Sequence, residues 1–355
     1  MDSKQLGTSD LFRMVDQFHD SALLHFAHSV GLFELTSQPH HADVLAASMG
    51  WVPRKAVIFL NALVANGLLS KDDMGRYHNS LVADQSLVRS RDGYMGGVVE
   101  HQRRQWSTWT RIGETLSSTD VLPWHQEHKL NGDEAANEAF HQAMRNLAVA
   151  NLPSFLSLPF PLGTKHVIDM AGSHGTYLAA LARAEPEVTG EVWDYPGAER
   201  IAKETFREFG CSERCAFRAK DITLPASFAG VLADVVLLND CLHYFEPATV
   251  RDLIYRAVEV LRSGGLLVVA TQLLNTDGIS PAAAAGFSMH MMLNTTHGGL
   301  HPTPWIEELL ASAGLSVIQR PLDPTGRYVV VVGRKGDARG LSPEWKETRL
   351  EAQTP

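Results

Sequence analysis

Four short segments in the second half of the chain carry side chains that could hold a nucleoside-bearing cofactor, and one of them adds a candidate base. The first is Asp169-Met170-Ala171-Gly172-Ser173-His174-Gly175. Glycines at Gly172 and Gly175 let the backbone approach a ligand closely, and the N–H groups that open the following helix face a negative group. The second is Asp194, 25 residues after Asp169. A carboxylate at that place can accept from both hydroxyls of a ribose. The third is Asp221 with its neighbour Ile222, where the carboxylate can accept from an adenine amino group. The fourth, Asn239-Asp240-Cys241-Leu242-His243, ends in a histidine. A glycine loop alone would equally suit a dinucleotide enzyme, but four such segments in this order are far more specific.

Each segment closes a short apolar run. From Lys165 onward such runs alternate with amphipathic helices: HVIDMAG, EVWDYPG, RCAFRAKDI, DVVLLNDCLHYF and LLVVATQLL are the runs, and TVRDLIYRAVEVLRSGG is a long helix among them. Strand–helix alternation builds a mostly parallel sheet covered on both faces. Ligands of such sheets bind outside the carboxyl ends of the strands, where the four segments fall. SVIQRPL and RYVVVVGRK close the pattern as an antiparallel edge hairpin around the turn Asp323-Pro324-Thr325-Gly326.

Residues 11–100 read as short helices. Apolar residues at three-to-four spacing run to a stop at Gly31. Two further helices and a small hairpin at Asp73-Met74-Gly75 give the layout of a winged helix-turn-helix. The helix in the recognition position, Arg54 to Asn66, carries only Arg54 and Lys55 and is otherwise apolar, so it is expected to bury rather than read DNA. Residues 95–160 look all-helical, with Pro153, Pro159 and Pro161 breaking the pattern.

The whole chain has 355 residues, enough for about two domains at roughly 150 residues each. Its 31 basic against 40 acidic residues leave a net charge of −9, which argues against holding nucleic acid by charge. No apolar run approaches the roughly 18 residues of a membrane span. The N-terminus is polar and does not read as a signal peptide. Cys211, Cys215 and Cys241 are an odd set, without metal or redox spacing, and point to reduced thiols in a cytoplasm.

The chain resembles the small-molecule O-methyltransferases of the caffeic-acid type, which occur widely in bacterial biosynthesis and use S-adenosylmethionine (SAM). The resemblance covers roughly residues 12–335. DMAGSHG matches the family's D-x-G-G-G-x-G loop, WDYP its F-D-L-P, KDI its G-D-F/M, and NDCLHYF its K-x-x-x-H-D-W. The resemblance implies an α/β fold: a Rossmann-like SAM-binding domain over 161–335, preceded by an all-helical winged-helix dimerisation domain over 1–100. A helical linker over 101–160 would line the substrate pocket, and 336–355 would be a polar tail. Asp169, Gly172, Ser173 and Gly175 would form the cofactor loop. Asp194 would hold the ribose, Asp221 with Ile222 the adenine, and Asn239 would stand near the methionine carboxylate. His243 falls on the catalytic histidine. A histidine of near-neutral pKa suits removal of a proton from a hydroxyl as it attacks the SAM methyl. The implied protein is a cytoplasmic homodimer acting on a small molecule of secondary metabolism, with neither nucleic acid nor membrane as partner.

The departures from the family concern acids. Tyr244 follows the histidine where the family has an acid, Thr271 or Gln272 replaces a glutamate late in the fifth strand, and the G-G-x-E-R-T segment reads Gly298-Gly299-Leu300-His301-Pro302-Thr303. Ala171 and Ser173 stand where the loop has glycines, and Asn239 where it has a lysine. Histidines gather nearby: His290, His297 and His301. On one helix, His290 and His297 would be seven apart and share a face. With His243 they could ligate a divalent or ferric metal ion, as in relatives that methylate the β-carbon of 2-oxo acids. Three readings therefore stand: O-methylation with His243 as base, metal-assisted C-methylation of a 2-oxo acid, and a SAM-binding relative without methyl transfer.

Overall fold

Apolar residues at helical spacing near the N-terminus form one long helix, α1 (Thr8–Ser29), and Gly31 ends it at φ +72°. The computed structural model describes residues 6–125, 133–161, 163–321 and 328–336. The expected turn at Asp323–Gly326 and the polar tail beyond Gly336 lie outside them. The chain divides into two compact units between Gln105 and Trp106.

In the first unit, α1 is followed by α2 (Leu32–Leu35), α3 (Ala42–Met49) and α4 (Pro53–Ala65). The antiparallel pair β1 (Leu69–Lys71) and β2 (Tyr77–Asn79) comes next, then α5 (Leu81–Leu87) and α6 (Gly96–Trp109), within which the division falls. Pro53 opens α4 at a position where a missing N–H costs nothing. Ala56, Leu60 and Leu63 of α4 are buried with Leu32, Phe33, Leu45 and Tyr77. The helix expected to bury therefore does so. α1 behaves otherwise: Leu11, Phe12, Met14, Val15 and Phe18 are all more than half exposed.

The second unit opens with α7 (Ile112–Leu116) and α8 (Glu134–Leu156). Its runs then become β3 (His166–Met170), β4 (Thr189–Asp194), β5 (Cys215–Ala219), β6 (Ala233–Leu237) and β7 (Leu261–Gln272), all parallel. Between them lie α9 (Thr176–Ala184), α10 (Glu199–Glu208) and α11 (Pro247–Glu259). After β7 come α12 (Ala282–Asn294) and α13 (Thr303–Ser312), then β8 (Leu315–Pro321) and β9 (Tyr328–Lys335). The sheet order is β5-β4-β3-β6-β7-β9-β8, with β9 antiparallel to both neighbours. Successive strand residues enter opposite cores: Val167, Val235, Leu266 and Val330 on one side, Ile168, Val236, Leu267 and Val331 on the other. Burial on both faces is what makes parallel strands read as continuous apolar runs.

Two expectations need correction. Pro153 does not break the chain's helical course; it sits inside the last turn of α8. The residue whose carbonyl it deprives of a donor, Val149, is exposed, and Ala148 and Phe155 hold that turn in the core. The long helix after β6 ends at Glu259, short of the predicted Gly265, because Leu261 already pairs with Ala233 as strand.

β4 passes close to β3 at Gly190, which pairs with Val167. A Cβ at Gly190 would lie inside van der Waals distance of the Val167 carbonyl oxygen and of Leu178 Cδ1. Gly190→Ala is expected to destabilise the protein by about 1–3 kcal/mol through overpacking. Urea titration should show a lower midpoint with an unchanged slope.

Candidate active site

The parallel order of β5, β4, β3 and β6 brings all four candidate segments to one edge of the sheet. Asp169, at the end of β3, is fully buried, and both carboxylate oxygens lack a hydrogen-bond partner among the described residues. Burial, and secondarily the charge of Asp194, push its pKa up to about 8. The loop folds directly over it. A Cβ on Gly172 would collide with the Asp169 carboxylate, so this position admits only glycine.

Ala171 and Ser173 adopt φ of +53° and +48°, a region that costs a residue with a side chain some strain. Three contacts stabilise the loop in spite of it. The Ala171 N–H donates to the Trp193 carbonyl, and the Ser173 N–H donates to Asp194 Oδ2 at 2.8 Å. The Ser173 hydroxyl pairs with His141 Nδ1 of α8 at 2.6 Å. His141 is buried, and its desolvation, helped by Arg200, lowers its pKa to about 4, so it is neutral. His141 carried no motif in the sequence; its role as an anchor appears only once α8 packs beside the loop.

Asp194 also accepts from the Tyr195 N–H at 2.6 Å. Burial raises its pKa to about 6 against these two backbone donors. At Asp221, Oδ1 accepts from the Thr223 N–H and hydroxyl at 2.8 and 2.7 Å, while Ile222 is buried beside it. Asn239 accepts from the Ala270 N–H and leaves a buried Nδ2 donor unpaired. Asp240 lies in the fourth segment, where the sequence assigns it no task. It holds φ +52°, its carboxylate makes no hydrogen bond or ion pair among the described residues, and burial raises its pKa to about 7. The thiol of buried Cys241 is pushed up by its own desolvation and then by Asp240, Asp169 and Asp194, which places the three carboxylates in one neighbourhood. Unpartnered carboxylates beside an unpaired amide donor fit a ligand that carries positive charge, ribose hydroxyls and a carboxylate, which describes SAM.

His243 sits in a 3-10 turn, Leu242–Tyr244, and is buried. Residues 298–301 clamp that turn: the Gly299 N–H donates to the His243 carbonyl at 3.0 Å, and His301 Nε2 donates to the Phe245 and Leu242 carbonyls at 3.0 and 3.3 Å. Phe287 of α12 meets the His243 ring edge-on at 5.1 Å. His290 stacks on Phe287 at 5.8 Å and on Trp109 at 6.2 Å. Desolvation, followed by His301 and His290, lowers the His243 pKa to about 3.

His297 does not join this group. α12 ends at Asn294, Thr295 turns to extended backbone, and His297 is exposed, so it shares no helical face with His290. His301 takes its place near His243. One ring nitrogen of each neighbour is engaged: His301 Nε2 donates to carbonyls, and Asn294 Nδ2 lies 3.4 Å from His290 Nδ1. Among the described residues no group of three or more His, Cys, Asp or Glu could hold a metal ion.

Residues 118–316 match the family of O-methyltransferase domains. The chain is 27% identical over 336 residues to the tetracenomycin polyketide synthesis 8-O-methyl transferase TcmO of Streptomyces glaucescens, covering 93% of this chain and 97% of that one. It superposes with a TM-score of 0.87 and 39% identity on an O-methyltransferase family protein from Burkholderia thailandensis, over 94% and 99% of the two chains. Human N-acetylserotonin methyltransferase, solved in complex with SAM, shares the fold with a TM-score of 0.81 at 20% identity, over 95% and 100%.

The raised pKa of Asp240 gives a prediction with a defined sign. Between 3.8 and about 7 the folded chain holds a proton that the unfolded chain has released, so this group's contribution to stability falls as pH rises through that window. In the cofactor-free protein, Asp240→Asn should raise the melting temperature at pH 8, and the gain should vanish towards pH 4. Its SAM affinity should fall at least about tenfold, the worth of one charge-assisted contact. Calorimetry showing unchanged affinity would remove Asp240 from the cofactor site.

Proposed function

The chain belongs to the O-methyltransferase domain family, and we propose that its strand-end segments hold SAM while His243 takes the proton from a small-molecule hydroxyl. It is a SAM-dependent methyltransferase. Bound SAM supplies an electrophilic methyl on a sulfonium. Asp194 binds the ribose, Asp221 with Ile222 flanks the adenine, and Asn239 Nδ2 meets the methionine carboxylate. Asp169, Gly172, Ser173 and Gly175 shape the loop around the cofactor. The substrate is a hydroxyl of a secondary metabolite, as in TcmO's work on a polyketide.

One observation carries the assignment of His243. It is a buried, neutral imidazole in a turn whose carbonyls accept three hydrogen bonds, one from the Gly299 N–H and two from the His301 side chain, at the same sheet edge as the unpartnered carboxylates. Neutral imidazole accepts a proton, and the clamp fixes where it does so. In-line displacement depends strongly on such positioning. Metal-assisted C-methylation draws no support from the histidines, which present no ligand set.

The helix–helix–hairpin unit, read as a winged-helix module, serves dimerisation. Leu11, Phe12, Met14, Val15 and Phe18 leave α1 with a broad apolar surface, and a second copy of the chain is the natural cover for it. No helix among the described residues is long and apolar enough to cross a membrane, and the three cysteines are buried free thiols, which supports a cytoplasmic place.

Two tests follow from this reading. His243→Ala should lower kcat/KM at the low end of the about 10²–10⁴-fold range of general base catalysis. SAM binding should persist, chelators should change nothing, and higher pH should restore part of the rate as the acceptor ionises. Full activity of the variant would end the assignment. For assembly, light scattering at micromolar concentration should report a dimer, and Phe12→Asp with Val15→Asp should yield a monomer. A wild-type monomer would refute the dimer.

A further inference from the structure

Among the described residues, His243 has no counter-charge for the imidazolium it would become as a base. The groups facing it are Phe287 and His290 on α12, His301 on the clamping segment, and Tyr244 beside it in the turn, with ring centroids 4.9 Å apart. None of them is a carboxylate, and the imidazoles of His301 and His290 raise the cost of a positive charge on His243. His301 cannot turn to serve as an acceptor through Nε2, because that nitrogen donates to two carbonyls. Thr271 and Gln272, at the end of β7 where a glutamate was expected, are buried and uncharged. A charge formed in such a place is expensive unless paired. General base catalysis works best when the base and the proton it removes are matched in acidity. An unsubstituted phenol, near the value of about 10 for tyrosine, is badly matched to a base in this setting.

Resting on the reading of His243 as the base, we infer that this pocket takes acidic hydroxyls, such as hydroxyquinones and phenols conjugated to a carbonyl, in preference to plain phenols. The surrounding rings of Trp109, His290 and Phe287 suit a flat acceptor of that kind. In the step, the acceptor oxygen forms its bond to the methyl carbon with a lone pair. The S–CH3 bond breaks with its electron pair going to sulfur, leaving S-adenosylhomocysteine. The hydroxyl proton goes to a ring nitrogen of His243 and then to solvent. The more acidic the hydroxyl, the less positive charge the imidazole must carry in the transition state.

The test uses the full chain with SAM and three flat acceptors of similar size and rising acidity: 2-naphthol, 6-cyano-2-naphthol and 2-hydroxy-1,4-naphthoquinone. Product is followed by mass spectrometry at pH 7. We expect kcat/KM to rise along the series, by at least about 10²-fold from first to last, the scale of a general-base contribution. Tyr244→Asp, which places a carboxylate beside the imidazole, should raise the rate on 2-naphthol and narrow the spread. A second readout is binding: in the complex with S-adenosylhomocysteine, 6-cyano-2-naphthol titrated by absorbance should show a pKa no lower than in water, because nothing there carries positive charge to hold its anion; a lowered value would reveal a counter-charge and overturn the inference. Equal kcat/KM for 2-naphthol and the hydroxyquinone would overturn the inference and leave methyl transfer standing. No methylation of any acceptor while calorimetry shows SAM bound would overturn the reading of hydroxyl methylation, and this inference with it.

Discussion

Asp169 and His243 are buried, and Asp194 and Asp240 half-buried, at the ends of neighbouring strands with nothing of opposite charge beside them among the described residues, and the site is organised around those unpaired groups. Desolvation raises the three carboxyl pKa values and lowers that of the histidine. At neutral pH both effects drive the groups towards their uncharged forms. On the proposed reading, a ligand with a sulfonium and an ammonium would reverse the balance for the carboxylates, because it would bring the missing positive charge into the same low-dielectric space. Nothing equivalent is provided for His243. On that reading the cofactor end of the site would gain charge on binding, and the acceptor end would avoid it.

Holding such groups in place needs a scaffold that resists relaxation. A buried carboxylate could escape by a backbone shift, but Asp169 lies within a strand hydrogen-bonded on both sides and under a loop that touches it at Gly172. The loop is strained at Ala171 and Ser173, and the surroundings supply the fixing contacts: Trp193 and Asp194 from β4, His141 from α8. His243 is held in the same manner. Among the described residues its ring makes aromatic contacts and no hydrogen bond, while the backbone around it is tied by Gly299 and His301. Position is fixed through the chain, which leaves the ring nitrogens free of a structural task.

The sequence made the sheet legible because parallel strands buried on both faces leave long apolar runs, and it made Asp194, Asp221 and His243 legible because they end those runs. Local rules failed where tertiary packing overrode them. Pro153 reads as a breaker, yet the last turn of α8 tolerates it, since Phe155 is buried and Val149 faces solvent. Seven-residue spacing put His290 and His297 on one face, but the helix stops three residues before His297. His141 gave no signal at all, being one polar residue on a helix whose partner loop is 32 residues away in the chain.

His301 shows most clearly why motif comparison and geometry have to be combined. By resemblance to the family's G-G-x-E-R-T motif it occupies the place of a glutamate, so the loss of an acid looks like the loss of support for the proposed base. In the structure the imidazole at that place has taken over half of the task. Its Nε2–H ties the Leu242 and Phe245 carbonyls on either side of His243, which keeps the turn in register. What it cannot do is carry negative charge, and a glutamate could. The substitution therefore separates two functions that one acid can combine, orienting the base and stabilising its protonated form. Only the first is kept here. On the reading inferred above, the second falls to the acceptor, through a hydroxyl that parts with its proton readily.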